Sequence, residues 1–437
     1  MIISDVIGII ADDLTDANET ALKFHLRGAN SQILLDFDCS PQHVKNTQVW
    51  AVSTATRNKP AQIAREEVSR ATQLFLNTLN PDYYFKKIDS SLTGNIGPET
   101  LAMLDVLGWD AAIIIPSCPI KNKITVGGYQ LVNGQPIERT ECARENLNPL
   151  FESYIPSLIR KQLNEEDQNK IATLDLQTIM KGAGPVLQKI NTFAKEGKKL
   201  IIADSVSMTD IEQIALAAKK SELKFLPVGT ASTAQILGKV WLQPAESEEE
   251  EEEKYIPDLP KLIISGTATH TTIDQLECLE ESESYENVFF EELDMQTVLG
   301  GVQETFVQKI VNKLAVNNIV VVHASDLIKN FDGFSDDSLN TDMTKSKLLE
   351  HISSYLAELT KEVIEKKEVI LITLGGDTSY KCCCAINSKQ LQIIDEIEHS
   401  VALTLDHKAQ WIVSKSGHIG DKYSIIDILK YFDEHKI

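Results

Sequence analysis

The chain has 437 residues, more than a single hydrophobic core usually holds, so two domains are the natural expectation. Hydrophobic residues make up 43%, which argues against global disorder, and the formal net charge of −22 argues against non-specific nucleic-acid binding. An acidic surface still permits a local basic pocket for a small anion.

Residues 6–10 are a short β-branched apolar run, followed by ADDLTDANET at 11–20, which predicts a strand, a polar turn and a helix with helical spacing over 18–28. The opening MIISDVIGII carries no basic stretch and soon meets Asp12 and Asp13, so it reads as a first strand and not as a signal peptide. Further strands are predicted at 31–35, 49–53, 83–88 and 111–115, with helices at about 60–79 and up to 107. This alternation predicts a mostly parallel sheet flanked by helices. TVGGYQLVNGQPIERT at 125–140 reads as a hairpin turning at Asn133-Gly134, and strands resume at 171–174, 199–203 and 225–228.

Glu248 to Glu253 are consecutive like charges, flanked by Pro244, Pro257 and Pro260. Such a run repels itself, so 245–259 is expected to be an acidic linker between domains at 1–244 and 260–437. The second domain restarts the α/β alternation with strands at 261–265, 318–323, 369–374 and 411–415. Residues 331–342 read as a loop ahead of a helix from Lys345. No apolar run is long enough for a bilayer span, so no membrane partner is expected. The seven cysteines form no repeated C-x-x-C framework. Adjacent Cys382, Cys383 and Cys384 read as thiols of a reducing compartment, which points to the cytoplasm.

Three strands of the second domain end in small-residue turns: Ser265-Gly266-Thr267, Gly375-Gly376-Asp377-Thr378 and Ser416-Gly417-His418-Ile419-Gly420-Asp421. Glycine lets the backbone approach an anion, and the N–H groups of a following helix point at it. Such turns gather beyond the carboxyl ends of the strands, where open α/β sheets bind ligands, so a phosphate site is expected there. Neither G-x-x-x-x-G-K-S/T nor G-x-G-x-x-G opens a strand–helix unit, against a P-loop NTPase and a dinucleotide dehydrogenase. Two readings stay open for Lys415, a phosphate contact or a surface strand end. Two stay open for Asp377, Mg²⁺ through water or a helix cap.

In the first domain Asp12 and Asp13 end the first strand, and strand alternation turns them apart. One faces a substrate hydroxyl and takes its proton while the other caps the turn, or both serve the helix start alone. Lys87 and Asp89 share a face if the strand continues, and Ser90, Asn95 and Gly97 lead into a helix. Lysine, hydroxyls and helix N–H groups together suit a carboxylate-bearing substrate. Arg57, after another strand end, is either a two-point carboxylate ligand or one half of a surface ion pair.

ADDLTDA at 11–17, KKIDSSLTGNIGPE at 86–99, LGGDT at 374–378 and KSGHIGD at 415–421 resemble, in the same order and across nearly the whole chain, the four-carbon acid sugar kinases. The resemblance implies a sugar-acid-binding N-terminal domain, a nucleotide-binding C-terminal domain, a cleft between them, and ATP with Mg²⁺. It implies that Asp12, Asp13, Arg57, Lys87, Asp89 and Ser90 line the acid-sugar site. Ser265, Gly375, Gly376, Gly417, His418, Ile419 and Gly420, with Asp377 beside them, would line the ATP site; no metal ligand is assigned. The chain departs from the usual pattern at Asp16 for glycine, Ala55 for glutamate, Thr93 for arginine and Asn122-Lys123 for glycine-arginine. It also has His418-Ile419 for glycine-phenylalanine and Ser400-Val401-Ala402 in place of a glycine-proline turn.

The expected function is therefore an ATP-dependent kinase acting on a hydroxyl of a four-carbon sugar acid, with Asp13, or Asp12, as base. A homodimer is the default assembly. One alternative is a sensor that binds nucleotide or sugar acid without turnover. The other, a haloacid-dehalogenase-like phosphatase, needs Asp-x-Asp, and Asp12-Asp13 with Asp16 has the wrong spacing.

Overall fold

Strands buried on both faces of a parallel sheet need unbroken apolar runs, and IGIIA, AAIII and LIIA supply them here. The computed structural model describes residues 5–36, 46–140, 143, 150–242, 256–331, 334–336 and 341–436. The chain separates into two compact units, Met1–Glu246 and Ser247–Ile437. The acidic run of the expected linker lies outside the described residues.

The first unit runs β1 (Ile7–Ala11), α1 (Leu14–His25), β2 (Asn30–Leu34), β3 (Thr47–Ser53), α2 (Ala61–Thr78), β4 (Tyr83–Lys87), α3 (Ile96–Leu107) and β5 (Ala111–Ile115). It continues with β6 (Lys123–Val126), β7 (Tyr129–Val132), β8 (Gln135–Pro136), α4 (Ile155–Gln162), β9 (Ile171–Leu174), α5 (Ala183–Lys195), β10 (Leu200–Ala203), α6 (Met208–Lys220), β11 (Phe225–Gly229) and α7 (Ala231–Trp241). Its main sheet has the order β2-β3-β1-β4-β11-β5-β10-β9, and every pair is parallel. Ile10, Val52, Ile114 and Val228 from the strands meet Val68 and Phe75 of α2 and Leu101 and Leu104 of α3 in one core.

The second unit runs β12 (Lys261–Ser265), α8 (His270–Glu280), β13 (Phe289–Glu292), α9 (Glu304–Asn317), β14 (Ile319–His323), β15 (Phe334–Asp336), β16 (Thr341–Met343) and α10 (Lys345–Ile364). β17 (Ile370–Leu374), α11 (Gly376–Ala385), β18 (Gln390–Glu398), β19 (Val401–Asp406), β20 (Trp411–Lys415) and α12 (Ser424–His435) complete it. Strands β13-β14-β12-β17-β20 are parallel neighbours, and β19 and β18 extend that edge antiparallel.

The first helix starts at Leu14, earlier than the predicted 18, because Asp13 caps it by accepting from the backbone N–H groups of Thr15 and Asp16. The predicted hairpin at 125–140 is a three-stranded meander. Asn133-Gly134 makes its second turn, with φ of 50° and 79°, and Gly127-Gly128 makes the first. Where 331–342 reads as a loop, β15 and β16 pair antiparallel, Phe334 opposite Met343 and Asp336 opposite Thr341. The hairpin β18–β19 was not legible from periodicity because a register shift interrupts its alternation. Ser400, at φ 65°, takes its turn where the family pattern has glycine-proline. Cys382 and Cys383 are buried in α11 and Cys384 is exposed; burial pushes the Cys382 thiol up to about 12.

Candidate functional site

β1 has β3 on one side and β4 on the other, so the chain changes direction across the sheet at β1. Loops that leave the carboxyl ends of strands part at such a point and leave a crevice for a ligand. Three loops meet here. The backbone N–H of Thr54 donates to Ala11 O at 2.9 Å, and those of Thr56 and Arg57 donate to Asp12 O at 3.0 and 3.3 Å. The Asn95 amide donates to Thr56 O at 3.2 Å and Lys59 O at 2.9 Å, which brings the segment after β4 onto the same floor. Gly94, at φ 90°, closes the approach: a Cβ there would lie 2.7 Å from Asp12 Oδ2.

The side chains form a dense charge network. Arg57 donates from Nε and Nη2 to the two oxygens of Asp12 at 3.2 and 2.8 Å, and from Nη2 to Asp16 at 2.5 Å. Its Nη1 lies 3.7 Å from Asp13 Oδ2. Lys87 Nζ is 2.6 Å from Asp16 and 3.7 Å from Glu19, and Lys121 Nζ is 2.9 Å from the other oxygen of Glu19. Lys123 Nζ donates to the hydroxyls of Ser90 at 3.0 Å and Ser91 at 2.8 Å. Thr93 Oγ1 donates to Asp89 at 2.5 Å, a contact that the expected arginine would not make in this form.

Burial raises the Asp13 carboxyl above its ordinary value, more than Arg57 lowers it. At Asp16 burial pulls the same way, but the charges of Lys87 and Arg57 outweigh it and hold the group below its ordinary value. Asp89 is held well below by Arg57, Lys123, the Thr93 hydroxyl and Lys87, against the pull of burial. Lys87 titrates above its ordinary value: Asp16 and Glu19 outweigh its desolvation. Asp13 is therefore held above its ordinary value while Asp16, Glu19 and Asp89 around it are held below theirs. One oxygen of Asp13 caps α1, and the other faces Arg57.

Five of the residues expected for the acid site, Asp12, Asp13, Arg57, Asp89 and Ser90, lie on these loops and Lys87 ends β4, though Arg57 is engaged by Asp12 and Asp16 and not open at the surface. The strand does not persist to Asp89: β4 ends at Lys87. Lys86, Glu99, Glu19 and Lys121 went unrecognised. Glu19 follows Asp16 by three residues on α1, a spacing that puts both on one helix face and was a readable signal.

In the second unit the chain again changes direction across the sheet at β12, which has β14 and β17 as neighbours. The turns after β12, β17 and β20 touch one another. Gly375 N–H donates to Lys415 O at 2.9 Å, and Thr269 and Thr272 hydroxyls donate to Gly417 O at 2.6 and 3.1 Å. A Cβ on Gly266 would sit 2.2 Å from Thr378 Oγ1, and one on Gly417 2.9 Å from Thr267 Oγ1. Gly375, at φ 103°, is the N-cap of α11, so free N–H groups of that helix open onto the turns. Ser265 is buried at the end of β12, Gly417 is buried, and His418 and Gly420 are exposed with Ile419 between them. Asp377 does not cap the helix; it is exposed in the first turn, 3.5 Å from Lys381. Lys415 is not a surface residue: its side chain is fully buried, its Nζ donates to Ser416 O at 3.2 Å, and burial lowers its pKa to about 7 against the pull of Glu398.

Among the described residues no cluster of His, Cys, Asp and Glu has the makings of a metal site, and no helix is long and apolar enough to cross a membrane.

Residues 7–237 match the family model of a sugar-binding N-terminal domain and residues 262–425 that of a nucleotide-binding C-terminal domain. The chain is 26% identical to a D-erythronate kinase of Heliobacterium modesticaldum over 406 residues, 89% of this chain and 87% of that one. It is 24% identical to a D-threonate kinase of Salmonella typhimurium over 440 residues, 98% of each. A 3-oxo-tetronate kinase of Haemophilus influenzae is 26% identical over 223 residues, 50% of this chain and 52% of that one. A Salmonella typhimurium LT2 crystal structure shares the fold with a TM-score of 0.75 at 19% identity, covering 96% of this chain and 98% of that one. A Haemophilus influenzae structure of the DUF1537 family shares it with a TM-score of 0.70 at 19% identity, covering 98% and 99%. With both domains matched in order, the chain belongs to the four-carbon acid sugar kinases, a family of phosphotransferases that act on an alcohol group.

Proposed function

We propose that this chain transfers the γ-phosphoryl group of ATP to a hydroxyl of a four-carbon sugar acid. The observation that carries this reading is the meeting of three small-residue turns beyond β12, β17 and β20, around the open N-terminus of α11. Backbone N–H groups there suit the phosphates of the nucleotide. Mg²⁺ would arrive with the nucleotide, since it binds largely through phosphate oxygens and water, with Asp377 in the first turn of α11 as a carboxylate that would meet it through water.

At the first unit's site, Asp13 would accept the hydroxyl proton as the oxygen attacks phosphorus. Its raised pKa suits a general base better than the lowered ones of Asp16 and Asp89, and Asp12 has both oxygens occupied by Arg57. The hydroxyls of Ser90 and Ser91 with Lys123 would hold the acid end.

ADP release with D-erythronate, D-threonate and 3-oxo-tetronate in ATP and Mg²⁺ tests this reading. Release that depends on one of these acids supports it. Tight ATP binding with no acid-dependent release would favour the sensor instead, a reading that the occupied state of Arg57 keeps in play.

A further inference from the structure

We infer that Asp16 is a specificity-determining residue: it sets a carboxylate of the chain itself on Arg57 and Lys87, so that the carboxylate of the acceptor is received at Lys123, Ser90 and Ser91. This deepens the kinase reading and rests on it for the class of acceptor.

Asp16 bridges two cations as a bound acid would, with one oxygen 2.6 Å from Lys87 Nζ and the other 2.5 Å from Arg57 Nη2. Lys87 is only 2% exposed and its other neighbour is Glu19, itself held by Lys121 at 2.9 Å. The rest of the Arg57 fork goes to Asp12 and Asp13. A second carboxylate brought to Arg57 or Lys87 would meet Asp16 at close range in a poorly solvated pocket, where like charges repel strongly.

Lys123 differs from its neighbours. Its partners are two neutral hydroxyls, and among the described residues it is the one cation of this cluster without an ion pair. Asp89, whose acidity Lys123 helps to maintain, is bonded by Thr93. An ammonium with two hydroxyls beside it is a receptor for a single carboxylate. Asp13 and Asp89 nearby are carboxylates that accept hydrogen bonds and repel a second anion, which suits the hydroxylated part of the same molecule.

Calorimetric titration of the full chain with D-erythronate and D-threonate, without nucleotide, tests this. Lys123→Met is expected to weaken binding about 30-fold or more, as loss of a paired charge does. Asp16→Asn is expected to tighten it about tenfold by freeing Arg57 and Lys87, and the double variant to bind more tightly than Lys123→Met alone. Unchanged binding in Lys123→Met, equal or weaker binding in a folded Asp16→Asn, or no acid binding by any variant would each overturn the inference. If Asp16→Asn does not fold, Lys123→Met alone decides. Binding that follows this pattern without acid-dependent ADP release would sink the kinase reading and leave the role of Asp16 standing.

Discussion

Lys86 Nζ lies 2.8 Å from Glu99 Oε2, and neither side chain is more than 1% exposed. The other Glu99 oxygen accepts from Thr56 at 2.7 Å, and Lys86 also donates to Lys87 O at 2.7 Å. The pair thus ties β4 and α3 to the loop that carries Arg57. Burial lifts the Glu99 carboxyl above its ordinary value more than Lys86 lowers it. Removing one partner leaves a buried charge, so Glu99→Ala should cost about 3–5 kcal/mol. Lys86→Met with Glu99→Leu should cost less than the sum of the single changes. Denaturant unfolding of the four variants checks this.

Asp13 caps α1, and the proposed function gives it the role of base as well; two substitutions separate the two. Asp13→Asn keeps an acceptor for the N–H groups of Thr15 and Asp16 but cannot take a proton. Turnover should fall about 100-fold or more with the melting temperature nearly unchanged. Asp13→Ala should lose the same activity and in addition about 1 kcal/mol of stability through the cap.

Nucleotide binding should take up protons. Lys415 titrates at about 7 because its ammonium is desolvated beside the turns after β17 and β20. A bound phosphate would favour the charged form and raise that value. Calorimetry of ATP binding at pH 8, in two buffers of different ionisation enthalpy, should show net proton uptake, and Lys415→Met should abolish it. Uptake that persists in Lys415→Met would assign it elsewhere.

Acid should weaken the first unit through Asp16 and Asp89. Both have folded values below the ordinary 3.8, so their stabilisation is complete above about that pH and is lost as the pH falls through the folded values. Asp13, held above 3.8, acts with the opposite sign between 3.8 and its folded value. Asp89→Asn should flatten the fall in melting temperature below pH 4.

Gly417→Ala should raise the KM for ATP about tenfold, because its Cβ would meet Thr267 Oγ1 at 2.9 Å, while the KM for the acid changes little.

The sequence showed which loops carry the chemistry better than it showed how their charges pair. The runs at β1, β12 and β17 are largely apolar, buried and bounded by polar turns, so periodicity locates them and the turns that follow. Asp13 as a cap was one of two roles that strand alternation allowed, and the early start of α1 follows from it. Arg57 meeting Asp16 is contact across 41 residues of sequence, which no local spacing encodes. Lys415 could be read as a phosphate contact or as a surface strand end; its burial follows from its place at the end of β20, which β17 and β19 flank, and no local spacing encodes that. Strands β18 and β19 are antiparallel additions to a parallel edge, with no crossover helix to announce them.

The most direct test follows the phosphorus atom. The full chain is incubated with ATP, Mg²⁺ and D-erythronate or D-threonate, and the products are resolved by ³¹P NMR. A new phosphomonoester on the acid is expected in equal amount to ADP, and none from Asp13→Asn. Inorganic phosphate with no phosphorylated acid, or an undiminished phosphomonoester in Asp13→Asn, would contradict it.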